Sequence, residues 1–454
     1  MLKMSRPSSC PEKNGDDQNE NHYQGAGGQE FAPNSTEQPE TRVLSAFRKD
    51  TEASKVYLAG REYFGDDGQT TELRLVSKIK HQLSTDPTFR PEYPSPLGLT
   101  EFTRQATNVT LGGSLKPRLE SRVLKVQTPG FNAAVRLGAE LLREWFENTS
   151  WSGPVYLSVP CDGSLAGIFK AAGIHDIRQY YYWDDKLRGV CLDKLVEDLE
   201  KAPQRSVVVL SASGHYPTGV DLTENQWDVI TQIVKRRMLF PFFLLPIHAL
   251  CTGDLGRDSR PIQKCAALGM ELICAQSFSH CFGQYGRKFT EYHYIAMITM
   301  NIFPEKTCEA VGHLIYVLKD NSLLIKKQCR AREIVKSLWA QPSMMGAHIV
   351  ATILSNPAHF VEWQEEIKRV VERCMLIRQL LRERLRHLGC PGIWDHLTTQ
   401  QGLFSCIGLS DPQVEFLVNS KHVYLLPNGC LNVSAINGGN LEYVAESIHQ
   451  ATSL

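Results

Sequence analysis

From Val43 onward the chain alternates short, nearly continuous apolar runs with stretches of helical periodicity, and this alternation constrains its fold more than any other feature. The runs Pro154-Val-Tyr-Leu-Ser-Val, Ser206-Val-Val-Val-Leu-Ser, Leu239-Phe-Pro-Phe-Phe-Leu-Leu and Glu271-Leu-Ile-Cys-Ala-Gln are apolar at successive positions, not alternate ones. Strands of that kind have both faces buried, as in a mostly parallel sheet covered by helices on each side. Asn132 to Glu147, Ser164 to Ala172 and Thr223 to Arg237 read as the crossover helices, the last opened by Thr223 and Glu224 as cap and first turn. The expected class is α/β.

A longer helical pattern covers about Met345 to His387, interrupted near Asn356-Pro357, with Ile367, Val370, Val371, Cys374, Ile377, Leu381 and Leu385 at helix spacing. It is expected to bridge two domains. The remainder, Gly402-Leu-Phe-Ser-Cys-Ile-Gly-Leu, a helix near Gln413, Val423-Tyr-Leu-Leu-Pro and Cys430-Leu-Asn-Val-Ser, reads as a smaller α+β unit. Residues 1 to about 42 are rich in Gly, Pro, Asn, Gln, Glu and Ser, with too few aliphatic residues to offset the entropy of ordering, and read as a disordered tail. The expected division is therefore a tail over 1–42, an arm contributing to a small domain over 43–70, a large domain over 71–345, and the long helix with the small domain over 346–454.

Lysine plus arginine and aspartate plus glutamate each total 49, so no net field draws the chain to a nucleic acid or an anionic membrane. No apolar stretch is long enough to span a bilayer, and the first residues lack the apolar core of a signal peptide, so a cytoplasmic location is expected. The thirteen cysteines are scattered with no C-x-x-C pair, which suits reduced thiols better than a disulfide framework.

Several strings follow one another in the order of a known family: PEY-P-S-P-LGL at 91–99, H-Y-PTG at 215–219, FPFF at 240–243, AQSFS at 275–279, LSNP at 354–357 and YLLP-N-G at 424–429. Over residues 43–454 the chain resembles the cytosolic aspartate aminotransferases. The resemblance implies the fold type I architecture of pyridoxal phosphate enzymes: a large domain with a mostly parallel seven-stranded sheet, a small domain built from both chain ends, and a homodimer. The family reaction exchanges the amino group between L-aspartate and 2-oxoglutarate.

The chemistry of that reaction needs residues that this chain has replaced. The Schiff-base lysine follows AQSFS in the family, and here that position is His280, whose imidazole can carry a proton but cannot form a stable aldimine. The aspartate after FPFF, which keeps the pyridine nitrogen protonated, corresponds to Leu244. The cofactor-binding tyrosine and asparagine correspond to Ile247 and Tyr216, and the ring-stacking tryptophan to Asp162. The phosphate turn reads Pro129-Gly130-Phe131-Asn132-Ala133. Of the two arginines that grip a dicarboxylate, the resemblance places Cys430 at the α-carboxylate position and Lys336, directed at the partner subunit, at the distal one.

Tyr93, Ser277, Lys288 and the adjacent Arg287 resemble what remains of a phosphate site. His280 and Cys281 with His248 and Cys251 invite a metal or thiol-nucleophile reading, but no tight ligand spacing links them, so no metal is expected. The expectation is a catalytically degenerate homologue that acts in binding or regulation. It would form a homodimer, or a heterodimer with an active paralogue. The alternative is a weak transaminase or racemase that holds pyridoxal phosphate noncovalently or through Lys288.

Overall fold

Successive apolar residues on a strand point to opposite faces, so each continuous run must be covered twice. The structure, a computed structural model, describes residues 39–88, 94–113, 119–144, 151, 153–285, 310–427 and 429–454. Seven strands form one sheet: β1 (Val123–Thr128), β2 (Val155–Val159), β3 (Ile177–Tyr181), β4 (Val207–Ser211), β5 (Phe240–Leu245), β6 (Leu272–Ser277) and β7 (Gly312–Val317). Their spatial order is β1-β7-β6-β5-β4-β2-β3. Only β7 runs antiparallel to its neighbours β1 and β6.

The register explains the uninterrupted apolar runs. Val209 of β4, Phe242 of β5 and Ile273 of β6 face one buried cluster, while Val208, Phe243 and Cys274 face another on the opposite side. The four runs singled out in the sequence are β2, β4, β5 and β6. The polar edge strand β3 exposes Arg178 and Gln179, and neither it nor the strands β1 and β7 stood out by periodicity.

Helix α1 (Pro39–Lys49) has no fully buried residue and begins inside the stretch assigned by composition to a tail, so residues 39–42 are corrected to helix. The rest of that stretch lies outside the described residues. Helices α2 (Phe131–Leu142) and α3 (Ser164–Ala171) cover the first face of the sheet, and α4 (Glu224–Arg236) covers the second with Trp227, Ile230 and Ile233. Thr223 caps α4 as expected: its hydroxyl accepts from the Gln226 amide while the Gln226 side chain accepts from the Thr223 amide.

The helical pattern of 345–387 resolves into α5 (Met345–Ser355) and α6 (Pro357–His387), with Asn356 capping α6 and Pro357 at its first turn, where a missing amide costs nothing. The first half of α6 packs Trp363, Ile367, Val370 and Cys374 into a cluster with α5. Its second half packs Ile377, Leu381 and Leu385 against Val423, Leu431 and Val444. The late strands are shorter than their apolar runs suggested: Phe404–Cys406 pairs antiparallel with Cys430–Asn432, and Val423–Tyr424 pairs parallel with Val56–Tyr57.

Candidate functional site

In an open α/β sheet the carboxyl ends of parallel strands are where side chains from several loops can converge. The ends of β2, β4, β5 and the turn after β6 here surround a cavity of about 120 Å³. Its walls are largely apolar: Phe131 at the start of α2, Leu157, Leu165, Val209, Leu244, Ile247 and Phe404. Arg61, Asn132, Ser158, Asp162, Ser211, Tyr216 and His280 supply the polar groups.

The polar groups are tied to one another. One Arg61 nitrogen donates to Asp162 Oδ2 at 2.7 Å and the other to Glu40 Oε1 at 2.5 Å, while the guanidinium lies 4.5 Å over the Tyr216 ring. The Tyr216 hydroxyl donates to the same Glu40 oxygen at 2.8 Å. Asp162 is anchored independently, because its Oδ1 accepts from the Ser164 amide at 2.9 Å and hydroxyl at 2.8 Å, at the start of α3. Burial alone would raise the Asp162 carboxyl, but the Arg61 charge and these donors outweigh it and hold the group below its ordinary value. The site is thus crossed by an internal ion pair (Arg61 with Asp162), and a second carboxylate, Glu40 of α1, bonds two of its lining residues.

His280 lies in the turn after β6 and faces this cavity. Burial, assisted by the Arg61 charge, pulls its imidazole down to about 4 against the weaker opposing effect of bonds to the Arg61 and Pro246 backbone, so it is neutral at physiological pH. Leu244, the fifth residue of β5, and Ile247 in the turn that follows are buried and present only methyl groups. Gly214 has φ +63°, and a β-carbon there would stand 2.4 Å from Ile247 Cδ1. The turn therefore packs directly on that isoleucine and leaves no space for a larger group.

His215 of the H-Y-PTG string has a structural role. It stacks on Tyr182 at 3.8 Å, its Nδ1 lies 2.8 Å from Thr218 Oγ1 and its Nε2 3.0 Å from Ser158 Oγ.

The structure therefore brings His280, Leu244, Ile247, Tyr216 and Asp162 together around one cavity. Other residues singled out by sequence sit elsewhere. Ser277 ends β6, buried, and its hydroxyl accepts from the Ser279 amide at 3.1 Å. Cys430 is buried in its strand directly opposite Cys406 and does not line the cavity. Lys336 is exposed on the helix Leu324–Leu338. Tyr93, Arg287 and Lys288 lie outside the described residues.

The four residues of the metal reading have other partners or places. His248 Nε2 is 2.8 Å from the Leu255 carbonyl, and the Cys281 thiol donates to the Phe278 carbonyl at 3.7 Å, with burial pushing its pKa up. Cys251 packs against Gly214, and His280 faces the cavity. Among the described residues no group of three or more His, Cys, Asp or Glu is placed to hold a metal ion.

Sequence reasoning missed Arg61 and Glu40. The one local signal is a charged residue that directly follows the apolar run Val56-Tyr57-Leu58-Ala59 and its glycine.

Comparison with known proteins agrees with this architecture. A sequence profile of the family described as "Aminotransferase class I and II" matches residues 90–448. The chain is 38% identical over 413 residues to "Aspartate aminotransferase, cytoplasmic" of Gallus gallus, covering 91% of this chain and 95% of that protein. It is 34% identical to "Putative aspartate aminotransferase, cytoplasmic 2" of Mus musculus over 91% of this chain and 95% of that one. Among solved structures, the aromatic-amino-acid aminotransferase of Burkholderia pseudomallei covalently bound to pyridoxal phosphate superposes with a TM-score of 0.82 at 25% identity, over 93% of this chain and 99% of that one. With the profile spanning most of the chain and the sheet carrying a cavity at its carboxyl edge, the protein belongs to the class I and II aminotransferase family as an aspartate aminotransferase homologue.

Proposed function

We propose that this chain is a binding or regulatory member of its family that does not hold pyridoxal phosphate as an aldimine and does not run transamination. One observation carries the reading: the pocket that contains His280 is crossed by the Arg61 to Asp162 ion pair, and Glu40 occupies the free arm of Arg61 and the Tyr216 hydroxyl. A neutral imidazole cannot make the carbon–nitrogen double bond that a lysine amine makes. Leu244 offers no acceptor to keep a pyridinium protonated, and the described lining contains no lysine. The cavity of about 120 Å³ is also below the roughly 300–1,000 Å³ of ordinary small-molecule sites. The residues at the pocket therefore do not fit the family cofactor.

A cytoplasmic location belongs to the same proposal, supported by the names of the relatives. Among the described residues no helix is long and apolar enough to cross a membrane. So do the division at about residue 345 and assembly as a homodimer, or as a mixed dimer to which the exposed Lys336 would present its charge. Cross-linking of the purified protein and co-purification with an active paralogue separate the two assemblies.

The deciding measurement is the absorption spectrum after incubation with pyridoxal phosphate and exhaustive dialysis, followed by borohydride reduction and peptide mapping. The expected result is no retained aldimine band and no pyridoxyl-lysine. A pyridoxyl group on Lys288, or turnover of aspartate with 2-oxoglutarate by the pure protein, would overturn the proposal.

A further inference from the structure

The cavity described above has an anion position that is filled by the chain's own Glu40. That carboxylate bonds through a single oxygen to Arg61 at 2.5 Å and to the Tyr216 hydroxyl at 2.8 Å. The two acids that share Arg61 are not equally held. Asp162 is fixed by two further donors from Ser164, whereas Glu40 comes from α1, which buries none of its residues completely. Glu40 is therefore the displaceable partner, and its departure would leave one arm of Arg61 and the Tyr216 hydroxyl aimed at the same point.

Beside that point the walls are largely hydrocarbon. Leu157, Val209, Leu244, Ile247 and Phe404 offer no group to receive an ammonium or a second acid, and the other polar lining residues, Asn132, Ser158, Ser211 and the neutral His280, carry no charge. Asp162, the one carboxylate among the described lining residues, is committed to Arg61. A comparable apolar cavity of about 150 Å³ in another protein is large enough to hold benzene, which sets the scale for a space of about 120 Å³.

We propose that the pocket binds a small monocarboxylic acid with an apolar body, such as an aryl- or branched alkyl-acetic acid. Its carboxylate replaces Glu40 between Arg61 and Tyr216, and its hydrocarbon part lies against Leu244 and Val209. The inference rests on the reading above that the site binds a ligand and does not form an aldimine. Exchanging one carboxylate for another leaves the charge at Arg61 unchanged, so the gain comes from apolar surface removed from water. α1 is released in the exchange, which makes occupancy of the pocket visible on the surface of the protein.

Phenylacetate is the probe. Titration of the full chain, followed calorimetrically, is expected to show saturable binding. Glu40→Gln removes the internal competitor's charge and should tighten binding at least tenfold, and Arg61→Met should weaken it at least tenfold. Neutral phenylacetamide should bind the Glu40→Gln variant at least tenfold more weakly than phenylacetate does, a comparison that holds even if Arg61→Met does not fold. Amide exchange in 39–49 should accelerate when the pocket is saturated. Absence of phenylacetate binding, equal affinity in the wild type and Glu40→Gln, or equal affinity for acid and amide would each overturn the inference. The dialysis spectrum is independent of these arms: no aldimine band together with no phenylacetate binding refutes this inference alone, and a retained band refutes the reading beneath it.

Discussion

Lowering the pH from about 7.5 to 5 should cost the folded protein several kcal/mol, because three fully buried histidines must stay neutral to remain buried. Burial pulls His215 and His313 down to about 3 and His248 to about 4, against 6.5 for an ordinary imidazole. In the unfolded chain these groups take up protons near pH 6.5, so below that value the unfolded state binds more protons and stability falls with pH. At pH 5 each group contributes about 2 kcal/mol of loss, roughly 6 kcal/mol together, and His280 and His396, both lowered to about 4, add to the loss in the same direction.

The hydrogen bonds show why the folded state resists protonation. His313 Nδ1 lies 2.8 Å from the Gln276 amide nitrogen, which donates, so a proton on Nδ1 would set two donors against each other. In His248 the Nε2 side faces the Leu255 carbonyl and Nδ1 is buried without a partner among the described residues, so a second proton would find no acceptor there.

Two buried acids oppose the trend. Burial raises Asp258 to about 7, and it raises Asp221 as well. An acid whose pKa is higher in the folded state gains stability as pH falls, and Asp258 returns about 2 kcal/mol by pH 5. The net expectation is a loss of a few kcal/mol, which is a large part of the roughly 5–15 kcal/mol that holds a domain folded. Urea unfolding at pH 7.5, 6.0 and 5.0 measures it. A midpoint that does not move, or that rises on acidification, would mean that these imidazoles are hydrated. His313→Leu should reduce the acid-dependent loss by about 2 kcal/mol, whatever it does to stability at neutral pH.

Much of the sheet was legible because burial of both faces leaves a direct mark on composition. β4, β5 and β6 are apolar at nearly every position, and each was found within a residue or two of its ends. β3 was not, because Ile177-Arg-Gln-Tyr-Tyr lies on an edge and turns two polar residues outward, and a stretch like that reads as loop in one sequence. β7 is wholly buried but begins with Gly312-His313, and nothing local indicates that its partners lie 150 or more residues earlier on one side and about 40 on the other.

The site divides in the same way. Replacements such as His280 and Leu244 could be named because each follows a recognisable string, and such a string locates a residue without showing what surrounds it. Arg61 belongs to no string. Its meeting with Asp162 across 101 positions and with Glu40 across 21 is a product of tertiary packing that periodicity does not encode. The same holds for Tyr216, read as a lost cofactor contact, which gains a ring-face cation and a carboxylate partner only when the chain is folded.

Arg378→Met is expected to cost several kcal/mol, about 1–3 for each carbonyl left without a donor, although methionine preserves much of the side chain's bulk. Arg378 sits on α6 with 1% of its surface exposed. Its guanidinium donates to the carbonyls of Gly402 at 3.0 Å, Phe404 at 2.5 Å and Gln401 at 3.4 Å. Burial lowers its pKa to about 10, so it is charged at neutral pH and depends on these carbonyls for its solvation. They depend on it equally, because segment 401–404 is short of regular pairing partners. Gln401 donates to Gly219, and β-pairing with Cys430–Asn432 starts only at Phe404. Methionine would leave the three oxygens facing hydrocarbon, and an unsatisfied buried polar group costs about 1–3 kcal/mol.

The loss should extend to the pocket, because Phe404 is one of its walls and meets the Tyr216 ring edge-on at 4.8 Å. Arg378→Lys is the informative companion. It keeps the charge and can reach one or two of the carbonyls, so it should recover part of the stability while leaving Phe404 looser than in the wild type. Thermal unfolding of the three proteins should rank them wild type, then lysine, then methionine, with several degrees between the extremes. Equal melting of methionine and wild type would show that water replaces the guanidinium at segment 401–404. The long helix would then support the pocket wall through its apolar face alone.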